Sequence, residues 1–369
     1  MSVKSNVKLV IQKTIRVVGR CFYRKHVWLV ADREWEAGDN GEAFFRFLQS
    51  KPVYSVFAIS KDSPDYEMMK QVGKVVDFGS LKYTLLLCVA DVYISSHEIH
   101  MAGHKETPHM FVSHGISYRD LHKYFNRFTH ENVYTVTASK AERDRIGAPP
   151  YTINPEHVFL TGYPRYDRLP ESKSEKVITL ALTWRPFLWG ISKEDIVKSD
   201  YFKLYTSIYE CKELIDFINS NGYSLKVKLH PQMEKYRDVF LLPEGITFWK
   251  EKTTYREMYE KSSLMVTDYS SAIFDFVYLN KPIVYYQPDY DELVNSYEAE
   301  YEYDYHNKGM GDVTKTIGEF RDCITSYIEK DCAMKDVYRE RVAQFFEYHD
   351  RNNCERVYNV TKDIVGKKK

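Results

Sequence analysis

Residues 267–286 read TDYSSAIFDFVYLNKPIVYY, a segment that predicts a polar turn, a helix and a strand in that order. The apolar run 264–266 before it is typical of the end of a buried strand, while Asp268, Ser270 and Ser271 are residue types that cap helices. The polar turn therefore comes at the carboxyl end of a strand and the amino end of a helix, where open parallel sheets bind phosphorylated ligands. A well-capped helix in an ordinary crossover between parallel strands is the alternative interpretation.

The same alternation of short apolar runs and helical segments continues along the chain and indicates parallel sheets with helices on both faces. Apolar runs predict strands at residues 27–30, 54–59, 75–78, 91–95, 110–112, 133–138, 177–182, 225–229, 246–248, 264–266 and 283–286. One long helix is predicted at 203–220. We therefore predict an α/β fold with two Rossmann-like doubly wound domains and a cleft between them, since 369 residues are many for one core. The predicted parts are an arm at 1–25, an N-terminal domain at 26–170, a C-terminal domain at 171–345 and a final helix at 346–369.

Charge is balanced overall but uneven along the chain, which has 52 basic and 52 acidic residues. Seven basic residues precede the first acidic residue, Asp32, so the body of the protein is mildly acidic. Nucleic-acid binding across such a surface is not favoured. The six cysteines form no CxxC pair and suit a reducing cytosol better than a disulfide framework.

The arm at 1–25 has the pattern of an amphipathic helix, with valines on one side and Lys13, Arg16 and Arg20 on the other. Such a helix favours an anionic membrane surface, and packing of its apolar side on the protein itself is the alternative. Charges interrupt every apolar run well short of the roughly 20 residues that a membrane-spanning helix needs. No signal peptide is indicated, because no uninterrupted apolar core and no small-residue cleavage site follow.

Two histidines follow predicted strands, one in each half of the chain. His114 precedes Gly115, which allows a ligand to approach the backbone closely. His230 precedes Pro231, which stops the strand there. A histidine at the carboxyl edge of a sheet is a candidate general base, because its ordinary pKa lies near neutrality. The alternative for each is a histidine that only satisfies the hydrogen bonds of a turn.

Two arginines are candidates for binding a diphosphate, because a guanidinium donates paired hydrogen bonds to phosphate oxygens. These are Arg165, after the sequence GYP, and Arg185, after TW, and surface ion pairs are the alternative. No Walker A sequence and no GxGxxG after a strand is present, which disfavours P-loop hydrolysis and dinucleotide redox chemistry. No metal site is predicted, because no metal-binding spacing joins the cluster of His97, His100, His104 and His109.

Taken together, these segments resemble the CDP-glycerol glycerophosphotransferases, the primases and polymerases of wall teichoic acid and related capsules. The resemblance runs from about residue 26 to residue 358, and its motifs are short but occur in the family's order. The motifs are WLV at 28–30, DNG at 39–41, SHG at 113–115, TGYPRYD at 161–167, TWR at 183–185, LHP at 229–231, TDYSS at 267–271, FD at 274–275 and FFEYHDRNNC at 345–354.

The resemblance implies a GT-B-like fold and transfer of glycerol phosphate, or a related polyol phosphate, from CDP-glycerol to an acceptor hydroxyl, with release of CMP. It makes His114 the general base and gives His230 the role of steadying the diphosphate or acting as acid. It implies neither a cofactor nor a metal. We also expect Lys228 to bind substrate, because it lies at the same strand end as His230. The substrate-binding positions are then Gly115, Ile116, Ser117, Arg165, Thr183, Arg185, Lys228, Ser270, Ser271 and Asp275.

The expected partners are a CDP-glycerol or similar CDP-polyol donor, a lipid-linked or oligosaccharide acceptor, and an anionic membrane surface. The resemblance places such an enzyme peripherally on the cytoplasmic face of a bacterial membrane, as a possible homo-oligomer. The choices between glycerol and ribitol, and between adding one unit and polymerising many, stay open. The alternatives are a GT-B nucleotide-sugar glycosyltransferase of capsule or cell-surface polysaccharide synthesis, and a nucleotide-binding scaffold of a capsule assembly complex.

Overall fold

A computed structural model describes residue 19 and residues 26–97, 106–116, 120–170, 174–251, 253–296 and 304–367. Apart from residue 19, the amphipathic helix predicted for 1–25 lies outside the described residues, and so does Ser117. The described residues form two compact units. Of these described residues, those within Met1–Ile116, Leu121–Arg168 and Phe345–Lys369 belong to the first unit, and those within Ser117–Asp120 and Leu169–Gln344 belong to the second.

The first unit is built around a seven-stranded parallel sheet. Its strands are β1 (Val27–Ala31), β2 (Tyr54–Ile59), β3 (Val75–Asp77), β4 (Val92–Ser95), β5 (His109–Phe111), β6 (Val133–Thr137) and β7 (Val158–Leu160). They lie in the order β3-β2-β1-β4-β5-β6-β7. Its helices are Asn40–Leu48, Tyr66–Val72, Leu81–Val89, His122–Phe125, Lys140–Ile146 and Asn353–Gly366, with 3₁₀ turns at Pro155–His157 and Pro164–Arg168. All five residues of β1 are buried, as expected for a central strand covered on both faces.

The second unit is built around a six-stranded parallel sheet. Its strands are β8 (Val177–Leu180), β9 (Ser224–Val227), β10 (Ile246–Phe248), β11 (Ser262–Thr267), β12 (Ile283–Tyr286) and β13 (Asp312–Thr314). They lie in the order β10-β9-β8-β11-β12-β13. Its helices are Lys193–Ile196, Asp200–Glu210, Lys212–Ser220, Tyr255–Lys261, Ile273–Tyr278, Tyr290–Ser296, Tyr305–Lys308, Ile317–Ile328 and Asp336–Phe345, with 3₁₀ turns at Pro186–Leu188 and Pro231–Val239.

The C-terminal helix Asn353–Gly366 packs on the first unit, although it follows the second unit in sequence. The carboxylate of Asp167 accepts hydrogen bonds from the backbone N–H and Nδ2 of Asn353 at 2.9 and 2.7 Å. The ring of Tyr358 lies 5.5 Å from the ring of Trp28, which is buried on β1. The last segment of the chain therefore completes the core of the first unit.

The predicted α/β fold with parallel sheets in both halves is confirmed, with two local differences. The helix predicted at 203–220 is two helices, because Cys211 takes a non-helical conformation with φ −73° and ψ 74°. Two edge strands were not predicted: β7 lies between Pro149-Pro150 and Gly162, residue types that indicate turns, and β13 has a single apolar residue. Within the described ranges, no helix is long and apolar enough to span a bilayer.

Candidate active site

The carboxyl end of β1 in the first unit carries a buried carboxylate, Asp32, at the start of helix Asn40–Leu48. Asp32 accepts backbone hydrogen bonds from Asp39, Gly41 and Glu42 at 2.8–3.0 Å, and Ser96 Oγ donates to it at 2.6 Å. These bonds satisfy donors that the first turn of a helix otherwise leaves free. Burial and the neighbouring charge of Asp39 nevertheless raise the pKa of Asp32 to about 7.

A glycine is required where this helix passes Asp32. A Cβ atom on Gly41 would lie 2.5 Å from the backbone oxygen of Ala31 and 2.5 Å from Asp32 Oδ1. The helix can approach the strand end closely enough for the backbone N–H of Gly41 to bind Asp32 only because that atom is missing. The close approach fixes where Asp39 and Asn40, the next residues upstream, stand.

Asn40 and Arg165 hold the loop that carries His114. Asn40 is fully buried, and its Nδ2 donates to the backbone oxygen of Ser113 at 2.8 Å. Its Oδ1 accepts from the backbone N–H of Arg165 at 3.0 Å. The guanidinium of Arg165 donates to Asp39 Oδ1 at 2.5 Å and to the backbone oxygen of His114 at 2.7 Å. The loop after β5 is therefore tied to the loop after β1.

The backbone of this loop is unusual on both sides of His114. Ser113 has a φ of 56°, in the left-handed region that few residues other than glycine adopt. Gly115 has a φ of 133°, and a Cβ on it would lie 2.7 Å from Arg165 Nη2. Ile116, also predicted to contact the donor, is buried with 4% of its surface exposed. The conformation presents His114 at the surface of the first unit.

His97 stands beside His114, and the two rings stack with centroids 4.9 Å apart. Arg33 Nε donates to His97 Nε2 at 2.8 Å, and Ser96 Oγ lies 2.9 Å from His97 Nδ1. Burial lowers the pKa of His97 to about 3. Desolvation by the neighbouring residues lowers the pKa of His114 as well, and the charges of Arg165 and Arg33 lower it further. The charge of Asp39 and a hydrogen bond to the Ser96 backbone raise this pKa. A lowered pKa favours the neutral imidazole of His114, which is the form that accepts a proton.

In the second unit, the strand ends of β8, β11 and β12 are joined by a buried ion network. Arg185 is 2% exposed, and its Nη1 donates to Asp268 Oδ2 at 2.8 Å. Its Nε and Nη2 donate to Asp289 Oδ2 at 3.1 and 2.7 Å. Asp268 Oδ1 accepts from the backbone N–H groups of Thr183 and Tyr269 at 2.8 and 2.6 Å. Tyr269 closes the ring by donating from its hydroxyl to Asp289 Oδ1 at 2.8 Å.

This network changes the interpretation of two residues. Asp268 was predicted among the helix caps, but helix Ile273–Tyr278 has Ala272 at its N-cap and no side-chain capping bond, and Asp268 is fully buried. Arg185 was predicted to contact the donor, but its guanidinium is engaged by Asp268, Asp289 and the backbone oxygen of Thr183. Both side chains hold the strand ends together.

The turn after β11 carries the predicted phosphate-binding serines. Ser270 is half-buried, and its Oγ accepts from the backbone N–H of Ala272 at 3.2 Å. Ser271 is exposed. Asp275, predicted to orient the donor, lies one turn into the following helix and is buried with 6% of its surface exposed. The two hydroxyls therefore stand at the carboxyl edge of the sheet, while Asp275 lies behind them.

The neighbouring strand ends bring the remaining predicted residues to the same edge. Thr183 follows β8, and its buried Oγ1 has no hydrogen-bond partner in the part of the chain that the structure describes. Lys228 follows β9, is 8% exposed, and donates to the backbone oxygen of Thr253 at 3.4 Å. Burial lowers the pKa of Lys228. His230 accepts from the backbone N–H of Gln232 through Nδ1 at 3.2 Å, and its ring stacks 5.9 Å from Trp184.

Each unit thus brings its predicted residues together at one sheet edge, and the sequence missed their polar neighbours Asp32, Asp39, His97 and Asp289. A signal for three of them existed, since Asp32 follows β1, His97 follows β4, and Asp39 precedes a helix.

Among the described residues, no three His, Cys, Asp or Glu side chains are grouped in a way that could hold a metal ion.

The chain is similar in sequence to known proteins over nearly its whole length. A family model described as CDP-Glycerol:Poly(glycerophosphate) glycerophosphotransferase matches residues 12–362. The minor teichoic acid biosynthesis protein GgaB of Bacillus subtilis (strain 168) is 31% identical over 386 residues, which cover 98% of this chain and 42% of that protein. The teichoic acid glycerol-phosphate transferase of Staphylococcus aureus (strain NCTC 8325 / PS 47) is 24% identical over 221 residues, which cover 50% of this chain and 53% of that protein. The chain spans about half or less of the length of these curated relatives.

Solved structures with the same fold include the wall teichoic acid polymerase TagF. It matches with a TM-score of 0.71 and 14% identity, covering 100% of this chain and 99% of that chain. A UDP-GlcNAc 2-epimerase from Neisseria meningitidis matches with a TM-score of 0.58 and 15% identity, covering 92% of this chain and 100% of that chain. At these identities the likeness shows the fold alone, and it confirms the GT-B-like class that the sequence predicted.

Proposed function

The chain belongs to the CDP-glycerol:poly(glycerophosphate) glycerophosphotransferase family, and we propose that it transfers glycerol phosphate, or a related polyol phosphate, from CDP-glycerol to a hydroxyl of a lipid-linked or glycan acceptor. CMP is the second product. The observation that carries the proposal is the position of His114, which the first unit presents at its surface on a loop fixed by Asn40 and Arg165. We assign the general base to the first unit and donor binding to the second.

In the proposed reaction, the acceptor hydroxyl attacks the phosphorus that carries the polyol. A new phosphorus–oxygen bond forms, the bond to the bridging oxygen of the diphosphate breaks, and CMP leaves with that oxygen. His114 takes the proton of the attacking hydroxyl, which requires the imidazole to be neutral. No covalent intermediate with the enzyme is needed, because positioning and charge stabilisation supply most of the rate enhancement in phosphoryl transfer.

Donor binding is proposed at the carboxyl edge of the second unit. Ser270 and Ser271 stand on the turn after β11, and the Thr183 hydroxyl on the adjacent strand end has no protein partner among the described residues. Three hydroxyls at one edge suit the oxygens of a diphosphate, where sheets of this type bind phosphorylated ligands. We propose that His230 and Lys228 stabilise the charge that gathers on the departing CMP.

We assign Arg185 and Asp268 a positioning role. Their ion pair fixes the backbone of Thr183 and the start of the turn that carries Ser270. Arg165 is placed in the first unit, where it holds the backbone oxygen of His114. Its contact with the donor therefore stays a prediction from the resemblance.

The basic arm at 1–25 is proposed to hold the enzyme peripherally on an anionic membrane surface, where a lipid-linked acceptor lies. The support is its charge pattern, with seven basic residues and none acidic. The protein without residues 1–25 should sediment less with vesicles that contain anionic lipid. Equal sedimentation with and without the arm would rule this role out.

A donor panel tests the proposed function. Purified protein is incubated with an acceptor preparation from a Gram-positive membrane and with CDP-glycerol, CDP-ribitol or UDP-sugars in parallel, and nucleotide release is followed. We expect CMP from one or both CDP-polyols and no UDP from the sugars. Release of UDP alone would favour the sugar transferase, and binding of nucleotide without turnover would favour the scaffold.

A further inference from the structure

The second unit contains a cavity of about 280 Å³ next to the ends of strands β12 and β13. Its volume lies at the lower limit for ligand pockets, so it suits a small group or one end of a longer ligand. Its polar lining consists of Gln287, Tyr290, Asp304, Tyr305, His306 and Lys315, and Val313 supplies the aliphatic part.

The cavity lies at the same sheet edge as the proposed donor site. Gln287 directly follows β12 and Lys315 directly follows β13, and both strands run parallel to β11 in the order β11-β12-β13. Gln287 Nε2 donates to the backbone oxygen of Asp268 at 2.8 Å, which joins the cavity wall to the serine turn. Because neighbouring strands lie about 4.8 Å apart, the cavity begins about 5–10 Å along the edge from that turn.

The lining combines apolar surface with several hydrogen-bonding groups. It combines an amide, two phenols, a carboxylate, an imidazole and an amine, which together can donate to and accept from several hydroxyls. The ring of Tyr305 packs against the rings of Tyr285 and Tyr290, with centroids 5.0 and 6.0 Å apart, and forms a fixed wall. A short polyol fits this chemistry and this size.

The other side of the serine turn suits the nucleoside instead. Beyond β11 in the opposite direction come the ends of β8 and β9, where Trp184 and His230 stack with an angle of 30° between their planes. Flat faces of this kind suit a pyrimidine ring. A donor whose diphosphate lies on the serine turn would then extend its polyol toward Gln287 and Lys315.

We propose that this cavity binds the polyol end of the CDP-polyol donor and determines which polyol is accepted. This proposal rests on the proposed function of the enzyme. It adds that the cavity is where the enzyme distinguishes donors with a three-carbon polyol from donors with a five-carbon polyol. Val313 lies on β13 at the cavity wall, so a larger side chain there reduces the space for the polyol and leaves the nucleotide side unchanged.

The test is titration calorimetry of the full chain with CDP-glycerol, CDP-ribitol and CMP. For Val313→Phe we expect affinity for the CDP-polyols to fall at least about tenfold, with the larger loss for the longer polyol, while affinity for CMP stays within about twofold. The matched control is Val197→Phe, which adds the same bulk at a position that is 39% exposed and outside the cavity lining, and it should leave all three affinities unchanged.

A second variant keeps the test valid if Val313→Phe does not fold. Lys315→Gln changes an exposed side chain of the lining and should weaken CDP-polyol binding with no effect on CMP. Equal weakening of CMP and CDP-polyols would place the nucleotide in the cavity and overturn the proposal, and so would unchanged affinities in both variants. If the unaltered protein binds none of the three ligands, the proposed function itself fails.

Discussion

His114 and its neighbours show how residues from three separate strand ends act on one imidazole. His114 follows β5, His97 follows β4 and Asp39 follows β1, and these strands are adjacent in the sheet. The sequence places each residue after its own strand, and His114 was predicted as the base. The convergence of the other two depends on the strand order β1-β4-β5, which no local pattern specifies.

Asp39→Asn should shift the pH profile of CMP release to lower pH. The carboxylate of Asp39 raises the pKa of His114, so its removal lowers that pKa further. Because the base must be neutral, the loss of kcat/KM on the acid side should then begin at a lower pH than in the unaltered enzyme. The control is Asp77→Asn, at the end of β3 in the same unit, which should leave the profile in place. A shift to higher pH would contradict the assignment of His114.

Arg185→Met should destabilise the second unit by about 3–5 kcal/mol, because it leaves the carboxylates of Asp268 and Asp289 without their cation. Urea denaturation measures the change. The matched control, Lys193→Met, removes a cation whose partner Asp238 is exposed, and no measurable loss is expected. Equal stability of Arg185→Met and the unaltered protein would show that the network does not hold the strand ends.

Strand positions follow from the sequence where an apolar run stands apart from turn-forming residues. β1 was predicted from its continuous apolar run and β11 from the run 264–266, whereas β7 lies among prolines and glycines and β13 has a single apolar residue. The break at Cys211 was missed because apolar spacing continues across it into the next helix. Asp268 was predicted to cap the following helix, because the sequence does not show that its carboxylate binds the buried Arg185 instead.

Two glycines at the same position of two helices should respond oppositely to alanine. Gly41→Ala places a Cβ 2.5 Å from backbone and carboxylate oxygens and should cost about 1–3 kcal/mol. Gly318 is likewise the second residue of its helix but has nothing within 4 Å of a Cβ, so Gly318→Ala should be neutral or stabilise by up to about 1 kcal/mol. Thermal unfolding of both variants measures the difference. Equal effects would mean that helix Asn40–Leu48 does not need its close approach to Asp32.

At the scale of the whole molecule, the described residues form two compact units, and the C-terminal helix belongs to the first of them. The sequence predicted a change of sheet near residue 170, since a new series of apolar runs begins there. The sequence predicted the C-terminal helix as a part separate from both domains, because no local sequence pattern shows that Asn353 binds Asp167. The contact pairs residues 186 positions apart, and only the folded chain reveals it.

A chain that stops after Gln344 should lose the fold of its first unit and keep that of its second. The deletion exposes Trp28 and Tyr166 and leaves Asp167 without the donors of Asn353 and Cys354. Hydrogen exchange followed by mass spectrometry should therefore show lost protection in β1 and β4 but retained protection in β8 and β11. Protection that falls equally in both sheets would contradict this assignment of the C-terminal helix.

Phosphorus NMR of the reaction product tests the central claim most directly. With CDP-glycerol and an acceptor, the unaltered enzyme should form a new phosphodiester in the acceptor and one CMP for each unit transferred. His114→Asn should reduce the rate of both by about 10²–10⁴-fold while donor binding persists. A product that carries no phosphate, or a phosphodiester formed at the same rate by His114→Asn, would contradict the account.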